Sequence, residues 1–220
     1  MLSGIIQSDE TYIQDNYKGN YLAAKNLEKP VDTERLPAYE ENRMSGYCHN
    51  RGKTTHTRGL SKQKVCVPCA IDDQGRALAK AAGKGMVQLN FLDYALSANL
   101  TSTVVLVTDK TPASLKFCEI HEFPLIQLKA DSESRNGKVY NLQKINNLHG
   151  RLKKLLTSFK GVSTKYLDNY LAWNGFDIRF TGLNKLEIQD KLSLAMSSIG
   201  ECSTYNEVFG KPPLPFQRAG

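Results

Sequence analysis

Residues 103–109 read TVVLVTD, a short continuous apolar run closed by a carboxylate. A β-branched run of this length suits a strand buried on both faces, as in the middle of a parallel sheet. Pro112 follows, its fixed φ suited to the first turn of a helix, which the pattern carries to about Glu122. Leu125–Leu128 then reads as another short strand. Strand, helix and strand in this order point to the α/β class. Asp109 ends the apolar strand at its carboxyl end, where open α/β sheets place ligand-binding groups. An Asp ahead of Thr-Pro is also a common helix cap, and the residues alone leave both roles open.

Working outward, the apolar spacing of Leu89, Leu92, Leu96 and Leu100 predicts a helix over 88–100. Residues 64–71 (KVCVPCAI) are β-rich and alternate, residues 72–75 (DDQG) signal a turn, and the chain returns over 76–82. Residues 4–13 read as the first strand, with Asp9 in its polar centre; a carboxylate there is costly unless it binds something. Downstream, Ile145, Leu148, Leu152, Leu155 and Phe159 stripe one face of a helix over 140–160, which Gly161 stops. A second amphipathic helix is predicted over 164–173, ended by Asn174-Gly175, and one more over 184–198 before a Pro-rich end. The rhythm is βββαβαβα. It is interrupted over 15–62, where Pro30, Pro37 and weak periodicity predict a long inserted arm. The expected partition is therefore a core from 1–14 and 63–180, the arm, and a tail over 181–220.

With 220 residues, 40% hydrophobic and 23% charged, a soluble globular domain is expected, and collagen-like, disordered or disulfide-scaffold readings are excluded for its bulk. No apolar run is long enough to span a bilayer, and the first residues lack the look of a signal peptide. Five cysteines fit free thiols in a reducing compartment. Lys and Arg exceed Asp and Glu, 29 to 22, which leans toward a polyanionic partner. Residues 42–71 hold no acid, so Arg51, Lys53 and Arg58 read either as a solvated loop or as phosphate contacts.

Two aspartates at the centre and end of neighbouring strands could hold one or two Mg²⁺ ions. Asn146 and Lys153, seven apart on the long helix, share one face about 10 Å apart along the axis. Cys66 and Cys69 form a C-x-x-C, yet no second pair exists, and Pro68 lies between them in an alternating strand; buried thiols are expected rather than zinc. His56, His121 and His149 share no ligand spacing, so core or surface roles are expected. Gly83-Lys84-Gly85 lacks the spacing of a phosphate loop.

Together the blocks SDETYI (8–13), CVPCAID (66–72), VLVTDK (105–110), INNLHGRLK (145–153) and KGVSTKYLDNYLAW (160–173) resemble the catalytic domain of bacterial insertion-sequence transposases of the DDE superfamily. The branch is the one whose third catalytic residue is Asn, followed by Lys. The resemblance covers about residues 3–174, interrupted by the arm. It maps the catalytic set onto Asp9, Asp109, Asn146 and Lys153, with Asp9, Asp109 and Asn146 as metal ligands. The family's glutamate two positions before the first aspartate is Gln7 here, and its usual N-terminal zinc-ribbon and helix-turn-helix region is expected to be missing ahead of Asp9.

The resemblance implies an RNase H-like mixed sheet flanked by helices. It also implies strand cleavage and strand transfer of an insertion sequence, with two Mg²⁺ or Mn²⁺ ions and no zinc in this chain. Its partners would be duplex DNA (element ends and target) and further copies of the chain, in the bacterial cytoplasm at the nucleoid. Lys144, Arg151, Lys154, Lys160 and Lys165 would add a sequence-independent grip on DNA. Two other functions stay open from the residues: an inactive truncated remnant acting as a DNA-binding fragment, and an RNase H-like nuclease.

Overall fold

The computed structural model describes residues 1–16, 18, 64–128, 140–198 and 214–216. Most of the inserted arm lies outside them, and with it Arg51, Lys53 and Arg58.

Among the described residues the strands β1 (Ile5–Gln14), β2 (Lys64–Asp72), β3 (Ala77–Ala79), β4 (Gly83–Lys84), β5 (Val105–Asp109) and β6 (Leu125–Leu128) form one mixed sheet. Its order is β3-β2-β1-β5-β6, with β4 on the outer edge of β2. β1 runs antiparallel to β2 and parallel to β5, and β5 runs parallel to β6. Three strands in a meander, then two parallel strands added on the far side of β1, make the RNase H-like arrangement the motifs imply.

Pro68 sits within β2, where a missing N–H would ordinarily break a ladder. Here it falls between the segment paired to β4 (Val65 and Cys66) and the segment paired to β3 (Cys69 to Ile71), so no β3 or β4 residue is in register with it.

Alternation along the strands sends side chains to two apolar layers. On one face Val65, Val67, Cys69, Ile71 and Val107 pack against α3 (Gln143–Ser158) and α4 (Leu167–Arg179) through Ile145, Leu148, Leu152, Leu167 and Leu171. On the other, Ile6, Ala70 and Leu106 pack against α1 (Leu89–Leu96) and α2 (Pro112–His121) through Leu92, Leu96 and Phe117. The remaining helix is α5 (Lys185–Ser198).

The predicted stop at Asn174-Gly175 is wrong: α4 runs through both to Arg179. Asn174 is buried, and a Cβ on Gly175 would meet the Ala77 carbonyl at 3.2 Å. The glycine serves close approach of helix to strand rather than termination. Gly161, by contrast, does follow the end of α3, with φ of +97°. Just beyond it, the Thr164 hydroxyl donates to Asp15 (2.6 Å) and accepts from the Asn16 N–H (3.0 Å), tying the end of β1 to the α3–α4 connection.

Candidate active site

The parallel register of β1 and β5 runs Ile5↔Val105, Ile6↔Leu106, Gln7↔Val107. Continued past the last pair, it sets Asp9 beside Asp109 at the point where the two strands part. β1 is still held on its other side there, Asp9 facing Cys69 of β2. Asp109 is not a helix cap, because Thr111 occupies the N-cap of α2. Its Oδ1 is instead buried with no hydrogen-bond partner among the described residues.

Glu10 belongs to the same cluster and was missed by the sequence reading, since neighbouring strand residues ordinarily point to opposite faces. Here, past the last pair of β1 with β5, one carboxylate oxygen each from Asp9, Glu10 and Asp109 lie within 4.8 Å of one another. The Glu10 N–H donates to Asp9 Oδ1 (2.9 Å), and the Tyr12 hydroxyl donates to Glu10 (3.3 Å).

Burial, reinforced by the Asp109 charge, pushes Asp9 up to about 6, against the opposing pull of the Glu10 N–H and the Lys153 ammonium. Burial, then Asp9 and Asp109, push Glu10 up to about 7. Asp109 is raised as well, chiefly by burial. Three carboxylates this close and this dry repel one another unless a proton or a cation sits among them.

The helix α3 faces this cluster and is fastened to it by Gln7. The Gln7 carbonyl oxygen accepts from the Ile145 N–H (3.1 Å) in the helix's first turn, and its amide donates to Asn141 Oδ1 (3.4 Å). Gln7 thus satisfies one of the free donors of a helix N-terminus. Gln7 is only 8% exposed, so Gln7→Ala should leave a buried N–H unpaired. A loss of about 1–2 kcal/mol is expected, read as a lower denaturant midpoint at unchanged slope.

Along α3 the stripe Asn146, His149, Lys153 follows helical spacing. Asn146 is exposed, one turn before His149. His149 is 8% exposed, and its Nδ1 lies 3.8 Å from Asp9 Oδ2. Burial, with the Lys153 charge, holds the imidazole down at about 4, hence neutral at pH 7. Lys153 is exposed, yet its charge acts on both Asp9 and His149. The structure therefore brings Asp9, Asp109 and Glu10 together and sets His149 and Lys153 over them. Asn146 stands on the same stripe at its N-terminal end.

The other basic residues named from the sequence are spread over α3 and its C-terminal end. Lys144 pairs with Asp73 (2.9 Å) and Arg151 with Asp177 (3.0 Å), both as exposed ion pairs. Lys154 and Lys160 are exposed, and the Lys165 ammonium sits 5.9 Å from the Tyr166 ring centre. A cleft of about 480 Å³ between the end of β1 and α3 is lined by Lys153 and Lys160 together with Tyr12, Gln14 and Asn16. The thiols of the C-x-x-C are separated by the pleat: Cys69 joins the α3 layer, while Cys66 packs with Ala82 and Phe91. Burial is the main force holding both thiols protonated, Cys66 at about 12 and Cys69 higher still. His121 pairs with Asp93 (2.7 Å) on the α1–α2 side of the sheet. Among the described residues, no helix is long and apolar enough to cross a membrane.

No family model and no curated protein matches the chain. Among solved structures it is similar to a chain of the simian T-cell lymphotropic virus intasome in complex with PP2A regulatory subunit B56 gamma. The identity there is 14% and the TM-score 0.48, over 84% of this chain and 51% of that one. It is also similar to a chain of a pre-cleavage Mos1 transpososome, with 13% identity and a TM-score of 0.32, over 90% of this chain and 57% of that one. The chain thus spans little more than half the length of these two chains.

Proposed function

We propose that the chain is the catalytic domain of an insertion-sequence DNA transposase of the Asp-Asp-Asn type, cleaving and joining strands of duplex DNA with Mg²⁺ or Mn²⁺. One observation carries this reading. Two aspartates stand in register at the parting ends of adjacent parallel strands, faced by a helix stripe bearing Asn146 and Lys153. The motif blocks around those residues, in their order and spacing, agree with it.

The donor set fits hard divalent cations. Carboxylate oxygens suit Mg²⁺ and Mn²⁺, and the buried, unpartnered Asp109 Oδ1 is an atom that a cation would satisfy. Asp9 and Asp109 would hold the ions, with Asn146 contributing a neutral carbonyl oxygen. Bound in a pair, such ions activate the attacking oxygen and stabilise the leaving oxygen of an in-line displacement.

The protein's own part is placement. Gln7 fixes the start of α3 against β1 and so sets the height of Asn146 and Lys153 over the carboxylates. Lys153, the cation nearest the cluster on that stripe, is placed to pair with a DNA phosphate and to offset charge developing on it. Lys154, Lys160 and Lys165 extend the grip along the backbone. Lys144 and Arg151 can exchange their exposed ion pairs for phosphates at little cost, since such pairs are worth at most about 1 kcal/mol.

The test uses supercoiled plasmid with the full chain and Mn²⁺. Nicking to 3′-hydroxyl ends is expected, and joining of those ends to a second duplex separates a transposase from a simple nuclease. Lys153→Ala should weaken duplex binding and lower the slope of log K against log salt by about 0.9, one phosphate contact. Unchanged slope and unchanged cleavage in that variant would remove Lys153 from the site, and absence of any metal-dependent nicking would leave only a DNA-binding remnant.

A further inference from the structure

Resting on the metal-site reading above, we propose that His149 is a nitrogen ligand of the cation held by Asp9, so that the site is built from oxygen donors and one imidazole rather than from oxygen donors alone. Nothing in the sequence spacing singled this histidine out.

Three features of its surroundings carry the assignment. The ring is nine-tenths buried, on α3, whose apolar stripe packs on the same face of the sheet as Cys69, the register partner of Asp9. Its Nδ1 stands 3.8 Å from Asp9 Oδ2. That is too long for a hydrogen bond, but two donors bonded to one ion at about 2.1 Å can stand up to about 4.2 Å apart, so a single cation can reach both atoms. The second nitrogen, Nε2, is buried and has no hydrogen-bond partner among the described residues. Neither ring nitrogen is in a hydrogen bond among the described residues, so no protein donor competes with a cation for the Nδ1 lone pair.

Asp109 Oδ1, from β5, is buried and unpartnered, and His149 Nδ1, from α3, stands beside Asp9, so two elements bring a donor atom to the site that Asp9 occupies. A cation between Asp9 and His149 would satisfy the Nδ1 lone pair. Imidazole is a softer donor than carboxylate or water, so this set should favour Mn²⁺ over Mg²⁺ more than an all-oxygen set would.

The experiment reads coordination directly. Purified full-length chain is loaded with one equivalent of Mn²⁺ and examined by pulsed electron paramagnetic resonance for ¹⁴N modulation from a coordinated imidazole. Titration of free Mn²⁺ gives the affinity. The wild-type protein should show the nitrogen modulation. Asn146→Ala should keep it, and His149→Gln should lose it and weaken Mn²⁺ by about tenfold or more, since even groups that only orient a ligand typically cost that much. Mn²⁺ binding that Asp9→Asn abolishes, but that shows no ¹⁴N modulation in the wild type, overturns the assignment while leaving the carboxylate site intact; this measurement needs no His149 variant to fold. If Asp9→Asn leaves Mn²⁺ binding unchanged, the carboxylate reading itself falls, and the histidine assignment with it.

Discussion

Asp9→Asn is expected to abolish metal-dependent strand cleavage and, at the same time, to make the metal-free protein more stable. The two effects have one cause. Asp9 is held three-quarters or more out of water, its side chain 23% exposed, beside two other carboxylates. Its pKa is raised from 3.8 to about 6, chiefly by burial and then by the Asp109 charge. Ionised at pH 7.5, it therefore opposes folding by up to about 3 kcal/mol, and nearer 1–2 kcal/mol once solvent screening is allowed for. Asparagine has the same shape, and its oxygen can still accept the Glu10 N–H. The variant keeps the local geometry and sheds the repulsion.

Without that charge, however, cations bound at the proposed site would lose an anionic ligand, and several kcal/mol of transition-state stabilisation would go with it, roughly a thousandfold in rate. Cleavage assays and thermal unfolding in EDTA, run on the same preparation, decide the matter. A variant that cuts normally, or one that is less stable than the wild type in EDTA, would contradict the placement of Asp9 at a charge-loaded metal site.

What could be read in the sequence followed from local pattern. The run 103–109 is apolar enough to specify a buried strand, and Pro112 marks the next helix; the α/β class and the parallel step follow. Asp9 stood out as a carboxylate in mid-strand and Asp109 as one at a strand's carboxyl end, a place that equally suits a helix cap until the neighbouring elements are known. The stripe on α3 was equally plain, and Ile145, Leu148 and Leu152 are buried as its spacing requires.

Features that depend on how elements dock were not legible. Nothing in a strand's pattern says that the pairing of β1 with β5 ends at Gln7, or that Glu10 groups with Asp9 and Asp109. His149 lies beside the apolar stripe, where a histidine reads as a core or surface residue. Its approach to Asp9 is set by the seat of α3 on the sheet, which Gln7 fixes from a position far away in the chain. Gly175 shows the same limit: as a letter it signals a helix end, and only the neighbouring β3 backbone explains it as close packing. In each case a local rule gave way to a contact between residues distant in sequence.

In EDTA, the stability of the protein should fall as pH rises from about 4.5 to about 7.5, the reverse of ordinary acid denaturation. Carboxylates with raised pKa values bind protons more tightly in the folded state than in the unfolded chain. Their contribution is fully present below the unfolded value, near 4, and is lost as pH rises through the folded one. For Asp9 that is about 6 and for Glu10 about 7, and Asp109 shifts in the same direction. His149 works the other way. Held down to about 4, its contribution is present above the unfolded value near 6.5 and shrinks as pH falls. Three carboxylates against one imidazole leave a net loss toward neutral pH, steepest between about 5 and 7. Asp9→Asn should flatten the fall, and His149→Gln should steepen it. Divalent cations bind only the deprotonated cluster and stabilise by mass action. Millimolar Mn²⁺ should therefore raise the melting temperature at pH 7.5 and leave it unchanged at pH 4.5, erasing most of the slope. Melting temperatures that climb steadily from pH 4.5 to 7.5 in EDTA, or that respond equally to Mn²⁺ at both ends, would mean that the carboxylates do not share one buried site. The fall is steep only because the fold crowds like charges, and the same crowding is what a divalent cation would relieve.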